Sequence, residues 1–370
     1  MKVVKLRSPF IIQINEATQL GSKLELFIWN NGDSEPTIPT YTFSKKIPSV
    51  TQTLNSYNIS NFVKEYINNI SPTYENYYGT REENKEWCLF KVKRYWDNAG
   101  TYTLLDTIYY VGLNGYTDYI DGLQNPSDTK VALLTNTNIN KYYYSQPTYP
   151  TDKIQYVDLL FDKTTTNTTV VNIRYETLDG AYNNNSNYGV GFAGIFNIKI
   201  PITLAKADVN FIKGCKVTIT YTPATGSPII NSFYTYPIEE CKYTPVLCDF
   251  INSYGGWETL TFFKAQTNSI SVKGSEYNLM QANLNYNNKI GQKKAFNING
   301  KQTIKLNTGW VTESYNELIK QLMLSDTILI DNKPALIKTQ SLTYKTDLKD
   351  KNINFEIDFE YSNNLINDII

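Results

Sequence analysis

Near the end of the chain, Ile353, Phe355, Ile357, Phe359 and Tyr361 alternate strictly with Asn354, Glu356, Asp358 and Glu360. A period of two belongs to a strand with one dry and one wet face. This run therefore commits the C-terminal region to a sheet that covers a core on one side. The stretch from Leu336 to Lys345 is its natural partner, joined to it through a turn near Asp347 to Asp350. In the simplest register Tyr344, Leu342 and Gln340 face Ile353, Phe355 and Ile357. Thr343, Ser341 and Thr339 then face Asn354, Glu356 and Asp358, so both faces agree.

Composition extends this reading to the whole chain. Thirty of 370 residues are tyrosine, aromatics make up 14% and charged residues only 19%. Tyrosine and threonine suit pleated, half-buried surfaces. Tyrosine also serves interfaces, with a large apolar body and one polar tip. An AT-rich genome would enrich Asn, Ile, Lys and Tyr as well. The expected fold class is mainly β with a few short helices. It is multi-domain, including an immunoglobulin- or fibronectin-like β-sandwich and a C-terminal α+β domain.

Three regions are expected. Residues 1–147 form an N-terminal β-rich domain with one amphipathic helix. Its strands are Leu24 to Trp29, Tyr41 to Ser44, Trp87 to Tyr95 and Thr101 to Val111, with a turn at Asp97 to Gly100 between the last two. Phe62, Val63, Tyr66, Ile67 and Ile70 share a helical face from Ser60 to Ile70, with Ser60 or Asn61 as N-cap and Pro72 beyond the end. Lys141 to Pro150, with Pro147 and Pro150, reads as a linker. Residues 151–245 read as the sandwich, with strands at Ile154 to Phe161, Thr169 to Glu176, Phe196 to Leu204 and Cys215 to Tyr221. An Asn-rich turn is expected at Asn183 to Asn187. Residues 246–370 form the C-terminal α+β domain. There Tyr315, Leu318, Ile319 and Leu322 mark a helix from Glu313 to Leu324, with Thr312 as its N-cap, ahead of the terminal hairpin.

The chemistry that composition closes off is unusually clear. No histidine is present, and lysine plus arginine balance aspartate plus glutamate at 35 each. Ser-His-Asp and Cys-His nucleophiles need an imidazole, and most catalytic zinc sites use one as a ligand. No basic cluster beyond pairs such as Lys45-Lys46 and Lys293-Lys294 is available for a phosphate backbone, so nucleic acid is not the expected main partner. The cysteines, Cys88, Cys215, Cys241 and Cys248, make no C-x-x-C pair. Two disulfides are open on paper, and reduced, buried thiols fit better. No apolar run has the length of a signal peptide or a membrane span, and the chain is expected to be made in a cytoplasm.

Several constellations invite a chemical reading. Glu356, Asp358 and Glu360 share a strand face, and the functional reading is a glycosidase pair or part of a calcium site. An open strand face offers no pocket to raise one carboxyl, and a solvated face, or one meeting lysines of a neighbouring subunit, accounts for it better. Asp118, Asp121 and Gly122 miss the EF-hand spacing and read as a turn. Asn58-Ile59-Ser60 and Asn167-Thr168-Thr169 match the glycosylation acceptor pattern by chance. Gly189-Val190-Gly191-Phe192-Ala193-Gly194 imitates a dinucleotide loop, but a strand-like run from Ile195 to Ile200 follows it where a helix is required. Trp257 and Trp310 stand beside glycines, either in the core or exposed for a sugar or an interface. No catalytic, cofactor-binding or metal residue is assigned, and no cofactor is expected.

One resemblance adds to these readings. Glu239-Glu240-Cys241-Lys242-Tyr243-Thr244-Pro245 runs into Asp249-Phe250-Ile251-Asn252-Ser253-Tyr254-Gly255-Gly256-Trp257-Glu258-Thr259-Leu260-Thr261-Phe262-Phe263-Lys264. Together with Asn307-Thr308-Gly309-Trp310-Val311 and the strand Phe355 to Tyr361, this resembles virion proteins of phages that infect Bacteroidetes, the crAss-like group first. The N-terminal run from Ser8-Pro9-Phe10 to Trp29, then Tyr41 to Lys45 and Asn58 to Ile67, is similar to the same proteins. The resemblance implies a non-enzymatic structural part of a phage tail or head–tail assembly, in a ring, hub or baseplate-like position. Its partners would be copies of itself and other tail or portal-associated proteins, and its location the virion, assembled in the bacterial host cytoplasm. Ring assemblies use head-to-tail interfaces that close. A glycan-binding adhesin or receptor-binding tail protein is the alternative reading, with a carboxylate-based glycosidase behind it.

Overall fold

A computed structural model describes residues 1–47, 53–68, 86–144, 156–163, 170–189, 194–202, 209–221, 227–239, 242–280, 287, 289–341, 343 and 352–367. Among the described residues the fold is mainly β, built from several sheets with two short helices. It divides into two compact units. The first holds Met1–Glu239, Phe250–Thr259 and Glu317–Asp326, and the second Glu240–Asp249, Leu260–Asn316 and Thr327–Ile370.

In the first unit, a five-stranded sheet has the order Val3–Lys5, Thr101–Leu113, Trp87–Asn98, Gly21–Asn30, Tyr41–Lys46. Apolar residues at alternate positions, such as Leu24, Leu26 and Ile28 against Phe90 and Val92, bury one face. Phe10, Phe90 and Tyr110 stack beneath it, the last two with centroids 5.1 Å apart. The expected helix is present but brief, at Ser60–Lys64. Neither Ser60 nor Asn61 caps it. The N-cap is Ile59, and Asn58 Oδ1 accepts from the Ser60 backbone N–H and hydroxyl. Ile70 and Pro72 lie outside the described residues.

The sandwich is formed by two facing sheets. One has the order Gly194–Pro201, Tyr156–Lys163, Val131–Leu133. The other has the order Asn183–Gly189, Val170–Thr177, Cys215–Tyr221, Ile229–Ile238, Lys141–Tyr144. Val157, Leu159 and Phe161 from one sheet meet Ile173, Val217 and Phe233 from the other in a single dry cluster. That interleaving of inward side chains defines sandwich packing.

Two local expectations fail within it. Asn183 to Asn187 is not a turn but part of a strand, paired from Val170↔Gly189 to Glu176↔Asn183. It is an outer strand, so it needs no apolar alternation, and its amides bond across the pair, as in Asn172 Nδ2 to Asn187 Oδ1 at 2.8 Å. The start of the expected linker, Lys141–Tyr144, is a strand parallel to Ile229–Ile238. Pro147 and Pro150 lie outside the described residues.

The second unit is dominated by a seven-stranded sheet. Its order is Trp257–Phe262, Val246–Ile251, Ile328–Ile330, Lys333–Ile337, Asn352–Tyr361, Lys293–Thr312, Thr267–Asn278. The alternating strand behaves as its sequence demands, with Ile353, Phe355, Ile357 and Phe359 buried. Its partner is shorter than expected, Lys333–Ile337, and the register is shifted by one: Ala335↔Tyr361, Leu336↔Glu360, Ile337↔Phe359. A one-residue slip exchanges the faces of a strand. It buries Ala335 and leaves Leu336 exposed. The turn near Asp347 to Asp350 lies outside the described residues. The helix spans Tyr315–Met323 and buries Tyr315, Leu318, Ile319 and Leu322 along one stripe, as the period of 3.6 requires.

Candidate functional site: a buried polar seam and an exposed ribbon

Two of the carboxylates that invited a catalytic reading are met by lysines of the same chain. Glu360 receives Lys301 at 3.1 Å and Lys338 at 2.8 Å, and Glu356 receives Lys305 at 2.9 Å. These lysines come from adjacent strands of the same sheet, not from a neighbouring subunit. They hold both carboxyls below the usual range, chiefly through hydrogen bonds from the lysines. A general acid needs a shift in the other direction. Asp118 pairs with Lys320 at 2.7 Å beside a single 3₁₀ turn, Tyr119–Asp121, which ends at Gly122 in the left-handed region. Gly194 opens a strand, so the glycine-rich run lacks the helix a dinucleotide needs, although 190–193 lie outside the described residues.

Cys88, Cys215 and Cys248 are free and buried, and Cys241 lies outside the described residues. Burial pushes the thiols of Cys88 and Cys215 up to about 12, so neither is a ready nucleophile.

The two tryptophans part ways. Trp310 is 67% exposed on a bulge after Gly309. Trp257 is buried, and its indole N–H donates to Glu86 at 3.1 Å. It belongs to the turn Asn252 to Glu258 of the first unit, where glycine is obligatory. A Cβ on Gly115 would lie 2.6 Å from the Ser253 carbonyl oxygen, and one on Gly255 would lie 2.9 Å from the Gly115 nitrogen. Backbone therefore touches backbone there.

That turn feeds a buried polar seam that no sequence pattern announced. Lys141 and Glu258 form an ion pair with both side chains 4% exposed. Glu258 also accepts from Asn136, by its backbone N–H at 3.2 Å and its amide at 3.1 Å, and from Asn252. Gln321, on the helix, exchanges two hydrogen bonds with Asn136. Nearby, Glu86 receives Lys199 at 3.0 Å, and Asp158 accepts from Asn197 at 2.7 Å. Bonded partners lie up to 185 positions apart, so only the folded chain brings them together.

Burial pushes the Asp158 carboxyl up to about 6. Lys199 opposes the rise and Glu86 adds to it. Among the described residues, Oδ2 of Asp158 has no hydrogen-bond partner. These groups are sealed inside the first unit, and they organise packing.

The second unit carries the opposite kind of feature. Every residue of Thr267–Asn278 is exposed, and so is Lys293 to Ile298 on the strand paired with it. Ile270 and Val272 are each 63% exposed. A two-stranded ribbon is marginal in water by itself. This ribbon keeps Ile270, Val272, Phe296 and Ile298 in the open among the described residues.

No family model matches the chain, and no curated protein does. Among solved structures it is similar to the calcium binding domain CBD12 of CALX1.1. The identity is 9%, the match covers 60% of this chain and 77% of that one, and the TM-score is 0.17. A likeness at that TM-score carries no argument about function.

Two outcomes follow from the seam. Lys141→Met leaves Glu258 buried without its cation and should cost about 3–5 kcal/mol, whereas Lys141→Met combined with Glu258→Leu should cost far less than the two single changes summed. Urea unfolding of the four proteins measures this; additive losses would show that the pair is not coupled. Asp158 gives a pH signature. Its folded value lies above the unfolded one, so its contribution is complete below about pH 4 and is lost as pH rises through about 6. Wild-type stability should fall by up to about 3 kcal/mol more than that of Asp158→Asn across this window. Parallel curves would contradict the assignment.

Proposed function

We propose that the chain is a non-enzymatic structural protein of a bacteriophage particle, a building block of the tail or head–tail assembly that works by oligomerising and docking. The observation that carries this reading is the exposed ribbon. Thr267–Asn278 and the first residues of Lys293–Thr312 present exposed apolar side chains that suit burial against another chain. The described titratable groups support it in another way. The acidic strand face is neutralised by its own lysines, and the buried carboxylates of the first unit are locked into packing. The absence of histidine narrows catalysis further. The phage setting rests on the resemblance of the Asp249 to Lys264 and Asn307 to Val311 segments to virion proteins of crAss-like phages. In that setting the partners are copies of the chain and other tail or portal-associated proteins, and the place of action is the virion.

The direct test is composition. Quantitative mass spectrometry of gradient-purified particles from the source phage should find the chain at a fixed, multi-copy ratio to the major capsid protein. Its absence from intact particles would sink the reading.

A further inference from the structure

A bulge puts Trp310 into water. On Lys293–Thr312 the side chains of Ile304, Leu306 and Thr308 are buried, so strict alternation would bury Trp310 as well. Instead Thr308 and Gly309 together oppose Phe355, and pairing resumes with Trp310 opposite Asn354. Two residues against one is a bulge, and a bulge re-aims the side chain that follows it. Val311 takes the buried place, and Trp310 emerges on the wet face of the sheet.

The bulge is held at each point. Gly309 has φ +73°, in the left-handed region that favours glycine. Its N–H donates to Asn307 Oδ1 at 2.7 Å. The buried Thr308 hydroxyl donates to the Gly309 carbonyl at 2.8 Å and accepts from the Phe355 backbone N–H at 3.1 Å. A side chain thus serves backbone groups where the ladder is interrupted.

The surroundings of the indole are polar. Asn354 stands opposite it, Asn307 and Glu356 form the next rung of the same face, and Lys305 and Asp358 the one after. Opposed side chains on a sheet stand about 5 Å apart and diagonal ones about 7–8 Å, a span that one small ligand covers. Asn307 Nδ2 donates to Glu356 Oε1 at 3.1 Å, and Lys305 Nζ lies 2.9 Å from Oε2. Both carboxylate oxygens are therefore fixed in direction, while 53% of the side chain stays exposed. Polar groups oriented before a ligand arrives lower the cost of binding it.

One flat apolar surface beside oriented polar groups narrows the occupant. A tryptophan that anchors another protein sits in a setting that sheds water, whereas the outward neighbours of Trp310 are asparagines and charges. A phosphate backbone calls for an excess of lysine and arginine. Along this face Glu356, Asp358 and Glu360 stand with Lys301, Lys305 and Lys338, three charges of each sign. A pyranose suits both halves. Its C–H face is apolar and lies flat on an indole, and the hydroxyls around its rim donate and accept.

We propose that Trp310, with Asn307, Asn354 and Glu356, forms a stacking platform for an uncharged, pyranose-based oligosaccharide. All of these residues belong to the second unit, so the site is complete in one copy and stands apart from the assembly reading.

The test is titration of the full chain with cellohexaose, xylohexaose and mannohexaose, read by saturation-transfer NMR, with heparin as the polyanion control. At least one neutral sugar should bind the wild type. Trp310→Ala should weaken that binding about tenfold or more, and Trp310→Phe, which keeps a flat ring, should retain part of it. Position 310 is exposed, so both variants should keep the wild-type melting temperature. No binding of any of these sugars, binding that Trp310→Ala leaves unchanged, or a preference for heparin would overturn the platform. So would sedimentation showing that Trp310→Ala loses self-association while no sugar binds, because the tryptophan would then be a protein contact. None of these outcomes alters the particle composition that tests the assembly reading.

Discussion

The buried pair of Lys141 and Glu258 is the interaction on which the first unit depends. Two charges withdrawn from water are costly, and the pair is tolerable only because its remaining valences are filled. Asn136, Asn252 and Gln321 fill them, and the ammonium also lies 5.1 Å from the centre of the Phe233 ring. These residues come from three separate stretches of chain, 136–141, 252–258 and the helix. Lys141 begins a strand of the sandwich, Glu258 follows the glycine turn, and Gln321 lies on the helix. The seam thus acts as a register mark. A hydrophobic core accepts many arrangements of similar volume, whereas a buried ion pair with directed amides accepts very few.

Close backbone contact makes the same demand. Around Gly115, Gly255 and Gly256 there is no room for a Cβ, and a Cβ on Gly256 would lie 2.7 Å from that of Leu134. The glycine-tryptophan motif at Tyr254 to Trp257, open to a core or a display reading in the sequence, is a packing device. Its tryptophan is buried against Glu86, and its glycines let the chain pass through the first unit.

What could be read in advance follows from what each element answers to. Strands that bury one face of regular side chains were legible, such as Cys215–Tyr221, whose bounds match expectation, and the alternation from Ile353 to Tyr361. The helix stripe Tyr315, Leu318, Ile319, Leu322 was legible for the same reason. One outer strand was not, because its asparagines carry no apolar period, although the outermost Tyr41–Lys46 was expected. Asn183–Gly189 therefore looked like a turn. The terminal hairpin register failed by one residue because the turn that would fix it has no strong signature, while the threonine-rich partner fits either face. The polar seam was illegible in principle: Glu86, Lys141 and Glu258 are single charged residues in unrelated segments. The ribbon was missed differently, since Ile270, Val272 and Ile298 have the pattern of ordinary half-buried strands and only the absence of a covering layer marks them out.

The same chain thus closes its charges inward in the first unit and leaves apolar surface open in the second. That combination fits a part made to be joined to other parts. The most direct measurement of this claim is hydroxyl-radical footprinting of the chain below and above its association range. Oxidation at Ile270, Val272 and Ile298 should fall together as assembly proceeds. Assembly that leaves the ribbon side chains as reactive as in the single copy would contradict the account.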